Sequence, residues 1–297
     1  MIDSIFQFRP ENSFNVPKNH LLLCVFFMIV WYIVESTFEK KEDIQMNREN
    51  RFFENLESKK ISLGCVITLS DLTASELAGD CGMDFAWIDA EHAPHTIDGV
   101  MKHLIALRGT GCAGLVRVRA NEPMLIKPYL DLAPDGVIIP MVNTAEQAAA
   151  AVAACRYPLE GVRGCGVRRA IRYGADDFFD YVKYSSHNPL VIIQIEHIEA
   201  VRNLDAILDT PGIDSICVGP CDLSGSMGIL NQMDDPELNK VLDEVCRKVK
   251  ERGLILGTAA GDFPRWKERG VDWFAGISDW GAMAAGIRAF KQNCARA

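Results

Sequence analysis

Residues 190–219 read LVIIQIEHIEAVRNLDAILDTPGIDSICVG, and this stretch holds one complete unit of strand, helix and strand. The run 190–196 (LVIIQIE) is short and β-branched, which is typical of a buried strand. A helical stretch at 200–209 follows, and 214–219 (DSICVG) is a second apolar run. Strands that alternate with helices in this way indicate parallel β-α units.

The same alternation runs through the chain from residue 61 onward. Six further strands are predicted, at 62–69 (SLGCVITL), 85–90 (FAWIDA), 114–119 (GLVRVR), 136–142 (GVIIPMV), 254–259 (LILGTA) and 273–278 (WFAGIS). Helices are predicted between strands at 97–108, 124–133, 144–156, 235–252 and 262–269. Thr144 with Gln147 three residues later forms a capping box, and Asp235 precedes Pro236 at a helix start.

Eight β-α repeats in about 235 residues match the number and length of a (β/α)8 TIM barrel. The alternative is a doubly wound parallel sheet. Its dinucleotide-binding form has G-x-G-x-x-G directly after the first strand, and residues 69–76 (LSDLTASE) contain no glycine. The sequence therefore predicts an α/β barrel domain over residues 61–297.

Composition excludes one class of partner and indicates a compartment. The net charge of −9 leaves no basic stripe to neutralise phosphates, so a nucleic-acid partner is not expected. Hydrophobic residues make up 48% of the chain, which suits a protein with a substantial core. The ten cysteines are scattered without a CxxC pair, and this predicts reduced thiols in a cytoplasmic protein.

The first 60 residues differ from the rest and are predicted to be an N-terminal extension. Residues 21–34 (LLLCVFFMIVWYIV) are uncharged and apolar, but fewer than the roughly 20 residues of a usual membrane span. A polar, linker-like stretch that contains Met46 follows. Three interpretations stay open: a short membrane anchor, an uncleaved signal-like segment, or translation that begins at Met46, which is favoured over membrane contact.

Polar side chains gather where the predicted strands end, which is where barrel enzymes place reactive groups. Four strand ends carry them: Asp89, Glu91 and His92 after strand two, Arg117 and Arg119 on strand three, Gln194 and Glu196 on strand five, and Cys221 with Asp222 after strand six. Each has a structural explanation when taken alone, such as a turn residue or a helix cap. Their convergence on one barrel mouth favours a site.

The residue types indicate a chemistry. Glu196 and Asp222 are hard oxygen ligands that suit Mg²⁺ or Mn²⁺, and an arginine such as Arg117 stabilises a developing oxyanion. His92 backed by Asp89 is predicted to be an oriented general base. Together these groups describe carbon–carbon bond making or breaking through the enolate of an α-keto acid.

The sequence resembles the HpcH/HpaI family of metal-dependent class II pyruvate aldolases. This family includes enzymes that act on 4-hydroxy-2-oxoheptanedioate and on 2-keto-3-deoxy sugar acids. The matching segments are IDAEHAP at 88–94, VRVRANEPMLIKPYLDLAPDGVIIPMVNTAEQA at 116–148, RYPLEGVRGCG at 156–166 and IIQIEHIEAVRNLDAILDTPGIDSICVGPCDLSGSMG at 192–228. The resemblance covers the chain from about residue 60 to its C-terminal end.

The resemblance implies a site and an assembly. It places the metal (Mg²⁺, Mn²⁺ or Co²⁺) on Glu196 and Asp222, the oxyanion contact on Arg117 and the histidine–aspartate pair on His92 and Asp89. It implies that Gln194 hydrogen-bonds a metal-bound water. It also implies that the backbone at Cys221 and Asp222 binds the carboxylate of the keto acid. The implied reaction breaks the C3–C4 bond of a 4-hydroxy-2-oxo acid to give pyruvate and an aldehyde. The implied assembly is a homohexamer with its last helix exchanged between subunits.

Two features depart from the family pattern, and two other functions stay open. Arg119 stands where many members have a small or neutral residue, so it is predicted either to read an acidic group of the aldehyde half or to pair with Glu91. The N-terminal extension is the second departure. The alternatives are an acyl-CoA lyase of the citrate-lyase β-subunit or malyl-CoA type, for which no basic cluster is evident, and a non-catalytic barrel subunit.

Overall fold

The protein forms a closed barrel of eight parallel strands in the order β1 to β8. A computed structural model describes residues 51–57, 61–184, 188–259 and 261–296. The strands are β1 (Ser62–Ile67), β2 (Phe85–Asp89), β3 (Ala113–Arg117), β4 (Gly136–Ile139), β5 (Leu190–Ile195), β6 (Ser215–Val218), β7 (Ile255–Thr258) and β8 (Trp273–Ser278). The predicted (β/α)8 barrel is confirmed.

Helices surround the barrel and join successive strands. They are α1 (Arg51–Glu57), α2 (Thr73–Asp80), α3 (Ile97–Ala106), α4 (Pro123–Leu130), α5 (Ala145–Cys155), α6 (Phe178–Tyr184), α7 (Ile198–Arg202), α8 (Leu204–Leu208), α9 (Pro220–Ser226), α10 (Pro236–Glu251), α11 (Phe263–Glu268) and α12 (Asp279–Arg296), with 3-10 turns at Arg169–Gly174. The predicted caps are present, since Gln147 N donates to Thr144 Oγ1 and Leu238 N donates to the Asp235 carboxylate.

Several strands end earlier than the sequence predicts, and the reasons are local. β1 stops at Ile67 because the next two backbone N–H groups, of Thr68 and Leu69, donate to the carboxylate of Asp279 at 2.8 Å. β4 stops at Ile139 because Pro140 has no N–H for the ladder. β8 has the predicted bounds, 273–278.

An aromatic column fills the lower half of the barrel interior, where such barrels usually hold branched aliphatic side chains. The column consists of Phe52, Phe85, Trp273 and Trp87, whose successive ring centroids lie 5.4 to 6.1 Å apart. Gly257 makes room for it, because an added Cβ there would meet the Trp273 ring at 1.8 Å. The column connects the bottom of the barrel with its mouth.

Helix α1 contributes Phe52 to this column, although the sequence assigned residues 1–60 to an extension. The compact unit that contains the barrel begins at Glu49. Arg51 holds α1 against the barrel. Its Nη2 lies 2.8 Å from Asp135 Oδ2, and its Nη1 donates to Leu107 O at 3.2 Å. The last part of the predicted extension therefore packs as part of the barrel unit, whereas the apolar stretch 21–34 and Met46 lie outside the described residues.

We expect Phe52→Ala to lower the free energy of unfolding by about 3–5 kcal/mol, because it empties a fully buried position at the base of the column. The matched control is Phe179→Ala, whose ring is 78% exposed. That variant should stay within about 0.5 kcal/mol of the natural protein. Chemical denaturation of the full chain measures both, and equal effects of the two variants would show that α1 does not stabilise the barrel.

Two further sequence expectations concern membranes and cysteines. No helix in the described ranges is both long and apolar enough to cross a membrane. The nine cysteines that the structure describes are all free, and five of them, Cys65, Cys112, Cys155, Cys217 and Cys246, are buried. Burial raises the pKa of the Cys112 thiol to about 12, which keeps that thiol protonated and unreactive.

Candidate active site

The polar strand ends meet around one cavity of about 520 Å³ at the mouth of the barrel. Its walls include five of the eight predicted site residues: His92, Arg117, Gln194, Cys221 and Asp222. Among the residues described, Asp89, Arg119 and Glu196 are not part of the wall, whereas Trp87, which the sequence did not single out, is. The cavity opens at the carboxyl ends of the strands, which is where barrel enzymes hold their substrates.

Arg117 is held rigidly at the end of β3. Its Nε and Nη2 donate to the two oxygens of Asp89 at 2.9 and 2.6 Å, in a bidentate pair. Its third nitrogen, Nη1, lies 3.1 Å from Glu91 Oε2, and the guanidinium carbon stands 5.1 Å from the centre of the Trp87 ring. A guanidinium fixed on three sides is a preorganised partner for negative charge that develops in the cavity.

Asp89 therefore serves the site in a different way from the one predicted. Its carboxylate does not orient the His92 ring, because both oxygens are engaged by Arg117. Its Oδ1 also accepts the backbone N–H groups of Glu91 and His92, at 3.1 and 3.3 Å, and so shapes the turn that carries the histidine. Burial alone would raise the pKa of Asp89, but Arg117 outweighs it and holds that pKa below its usual value.

His92 lies on the rim of the cavity, and its side chain is 64% exposed. The carboxylate nearest to its ring in the described structure belongs to Glu91, whose Oε2 is 3.8 Å from His92 Nε2. Burial raises the pKa of Glu91 even though Arg117 and His92 favour its charged form. Because the His92 side chain is exposed and lines the cavity, its imidazole can reach a ligand there.

Arg119 lies outside the site. β3 ends at Arg117, so Arg119 lies just after the strand rather than on the strand as the sequence predicted. The Nη2 of Arg119 donates to the His95 carbonyl at 3.0 Å. The predicted pair with Glu91 is wrong, because Arg117 takes that position. Arg119 is also absent from the cavity walls in the described part of the chain.

Glu196 is buried at the end of β5 and is held by two neutral donors. Met141 N donates to its Oε1 at 2.8 Å, and Gln194 Nε2 donates to its Oε2. Burial, with a smaller contribution from the nearby carboxylates Glu91 and Asp222, raises the pKa of Glu196 to about 7. A buried carboxylate in negative surroundings is one that a cation would stabilise.

Met141 is a contributor that sequence reasoning missed. Its φ of +54° lies in the left-handed region, which costs a residue with a side chain about 1–2 kcal/mol. That conformation turns the backbone N–H toward Glu196. Sequence patterns rarely reveal a backbone contact, and Pro140 is the one signal here that the strand has ended.

The residues present fit a divalent cation bound by two carboxylates. Gly219 lies between strand and helix, and an added Cβ there would come within 2.8 Å of Glu196 Oε2, so the space beside that oxygen depends on glycine. Asp222 stands in the first turn of α9 on the cavity wall. Among the residues described, no set of three or more His, Cys, Asp or Glu side chains gathers as a metal site. A two-carboxylate site would leave its other positions to water and substrate oxygens.

Comparison with known proteins shows the family of the chain. Residues 64–283 match the HpcH/HpaI aldolase/citrate lyase family. The chain belongs to this family. The match begins at the third residue of β1 and ends within α12, so it includes nearly all of the barrel and every residue of the predicted site.

Two similar relatives carry the same name. The 5-keto-4-deoxy-D-glucarate aldolase of Salmonella arizonae is 38% identical over 243 residues, which cover 80% of this chain and 94% of the relative. The enzyme of the same name from Citrobacter koseri is 37% identical, over 82% of this chain and 97% of the relative. These similarities confirm that the protein is an aldolase-type carbon–carbon lyase.

A solved HpcH/HpaI structure shows the same fold. The aldolase/citrate lyase family protein from Burkholderia cenocepacia superposes with a TM-score of 0.76 at 28% sequence identity. The superposition covers 82% of this chain and 99% of that protein.

Proposed function

We propose that this protein is a divalent-metal-dependent aldolase that cleaves a 2-keto-3-deoxy sugar acid to pyruvate and an aldehyde. The observation that supports it best is the fixed guanidinium of Arg117, which shares the cavity wall with Asp222. The second carboxylate, Glu196, is buried at the end of β5, close enough to both for their charges to shift its pKa. The relatives named as 5-keto-4-deoxy-D-glucarate aldolases favour a sugar diacid as substrate.

Four residues are assigned to binding the metal and the substrate carboxylate. Glu196 and Asp222 would hold Mg²⁺ or Mn²⁺, which when bound supplies Lewis-acid polarisation of the 2-oxo group. Gln194 positions Glu196 through its amide N–H. Its Oε1, which has no partner among the described residues, is available to accept from a water in the cavity. The backbone N–H groups of Cys221 and Asp222 face no carbonyl within their own helix turn, so they suit the substrate carboxylate.

Arg117 and His92 act on the reacting atoms. As the C3–C4 bond breaks, negative charge moves onto the 2-oxo oxygen of the departing pyruvate enolate, and Arg117 stabilises it without having to move. His92 accepts the proton of the 4-hydroxyl group, directly or through a water, so that the aldehyde can form. Asp89 and Glu91 act through Arg117, by fixing its orientation.

A panel assay tests the substrate class. The full-length protein is supplied with Mg²⁺, and lactate dehydrogenase reports pyruvate release from several 4-hydroxy-2-oxo acids, including 5-keto-4-deoxy-D-glucarate and 4-hydroxy-2-oxoheptanedioate. We expect the sugar diacid to be cleaved with the highest kcat/KM. Preference for the heptanedioate would reassign the aldehyde half, and release from acyl-CoA thioesters alone would favour the lyase alternative.

We also propose a homo-oligomer, with a hexamer as the expected state, in the cytoplasm. Helix α12 buries none of its described side chains, yet Trp280, Met283, Ile287 and Phe290 follow one another at helical spacing and are 58–72% exposed. An apolar stripe of this kind normally marks an interface. Light scattering of the purified protein should give a mass near six chains, and a monomer with full activity would contradict the proposal.

A further inference from the structure

Two tryptophans lie inside the barrel, and their indole N–H groups differ. Trp273 Nε1 donates to Ser215 Oγ at 3.0 Å. Trp87 is only 1% exposed, yet its Nε1 has no hydrogen-bond partner among the residues that the structure describes. A buried indole N–H normally finds an acceptor, so the unpaired one indicates that something else in the site accepts from it.

Trp87 belongs to the cavity wall, next to Arg117 and Gln194. Gln194 Oε1 is also buried without a partner in the described structure. The walls of one cavity thus present an unpaired donor and an unpaired acceptor. Unpaired polar atoms of both kinds are what a wall presents when a polar ligand or ordered water completes it.

Trp87 also forms a floor that has little room to move. Arg117 stands over its ring, with the guanidinium carbon 5.1 Å from the ring centre. On the side away from the mouth, the Trp273 ring lies 6.1 Å away, and that ring is in turn packed against Phe85 and Phe52. The column below therefore fixes the depth of the cavity and supports the guanidinium above.

We propose that Trp87 is a specificity-determining and positioning residue: it limits the 2-oxo acid to three carbons and holds Arg117 against the 2-oxo oxygen. This inference rests on the aldolase function proposed above. A longer acid would have to place its additional methylene where the indole stands. A smaller side chain would admit that methylene and would leave the guanidinium without its supporting ring.

Exchange of the C3 protons of a 2-oxo acid for deuterium tests this without any aldehyde. The full-length protein with Mn²⁺ is incubated in D₂O with pyruvate or 2-oxobutanoate, and NMR follows the loss of the C3 signal. For Trp87→Leu we expect the ratio of kcat/KM for 2-oxobutanoate to that for pyruvate to rise about tenfold or more, since one methylene is worth that much in a tight pocket. The kcat for pyruvate should fall.

Trp87→Phe separates the two roles. The phenyl ring keeps an aromatic face under Arg117, so kcat for pyruvate should be largely restored, while the ratio rises in the same direction by a smaller factor. The matched control is Trp280→Phe, which changes an exposed tryptophan of α12 that is not among the described wall residues, and it should leave the ratio unchanged.

The outcomes distinguish this inference from the function on which it rests. Exchange of pyruvate by the natural protein, with an unchanged ratio in Trp87→Leu and Trp87→Phe, overturns the role of Trp87 alone. An unchanged ratio in Trp87→Phe overturns it even if Trp87→Leu does not fold. Absence of exchange with either acid by the natural protein would instead contradict the proposed aldolase function.

Discussion

Replacing Glu196 by alanine is expected to abolish metal-restored pyruvate release while the barrel stays folded. The carboxylate is the buried member of the proposed ligand pair, and the donors to its Oε1 and Oε2 within the described ranges, Met141 N and Gln194 Nε2, are both neutral. Without it, one aspartate cannot hold a divalent cation at micromolar affinity in competition with water. Titration calorimetry and the coupled assay, each after EDTA treatment, measure the two losses.

The same variant should show a change in the pH dependence of stability. Burial raises the pKa of Glu196 to about 7 in the folded protein, from an ordinary value of 4.5. A raised carboxyl pKa stabilises the folded state fully below pH 4.5, and this contribution is lost as the pH rises through 7, by at most about 3 kcal/mol. The metal-free natural protein should therefore lose stability across that window, and Glu196→Ala should not.

The control for this experiment is Glu199→Ala, which removes an exposed carboxylate three residues away, in α7. It should keep full activity and the natural pH profile. Full turnover by Glu196→Ala in added Mg²⁺ would refute the assignment of Glu196 as a ligand.

Arg117→Ala is expected to lower kcat on the order of 10²-fold or more, as the loss of a preorganised oxyanion partner does. It should also destabilise the fold by about 3–5 kcal/mol, because Asp89 would be left buried without its counter-charge. Steady-state kinetics of pyruvate release and chemical denaturation measure the two effects separately.

Two further variants separate the loss of kcat from the loss of stability. In Arg117→Ala combined with Asp89→Asn, stability should be largely recovered while kcat stays low, because the buried charge is gone but the oxyanion contact is still missing. Arg119→Ala removes the neighbouring arginine, which lies outside the cavity walls, and should change kcat by less than about threefold. A change in Arg117→Ala confined to KM would show that Arg117 only binds the ground state.

The sequence predicts the barrel, and it places candidate site residues at the strand ends, because both depend on strong local patterns. The β-branched run at 190–196 predicts a buried strand. The polar residues at its end, Gln194 and Glu196, would be costly to bury without a function, so they indicate a site. Counting eight such units was enough to identify the fold.

The partners of those residues could not be predicted, because they depend on distances across the barrel. Sequence proximity suggested that Asp89 serves His92, whereas β2 and β3 are neighbours in register and place Asp89 beside Arg117. The hydrogen bond from Met141 N to Glu196 and the packing of Phe52 against Phe85 could not be predicted either, since neither follows from a periodic pattern. The helix α1 was hidden within a polar stretch that reads as a linker.

The most direct test of the central claim is metal removal and restoration in one sample. Full-length protein is assayed for pyruvate release from 5-keto-4-deoxy-D-glucarate before EDTA, after EDTA, and after addition of excess Mg²⁺ or Mn²⁺. The account predicts that release stops with EDTA and returns with the metal. Release that continues unchanged in EDTA, or that no divalent ion restores while the protein stays folded, would contradict it.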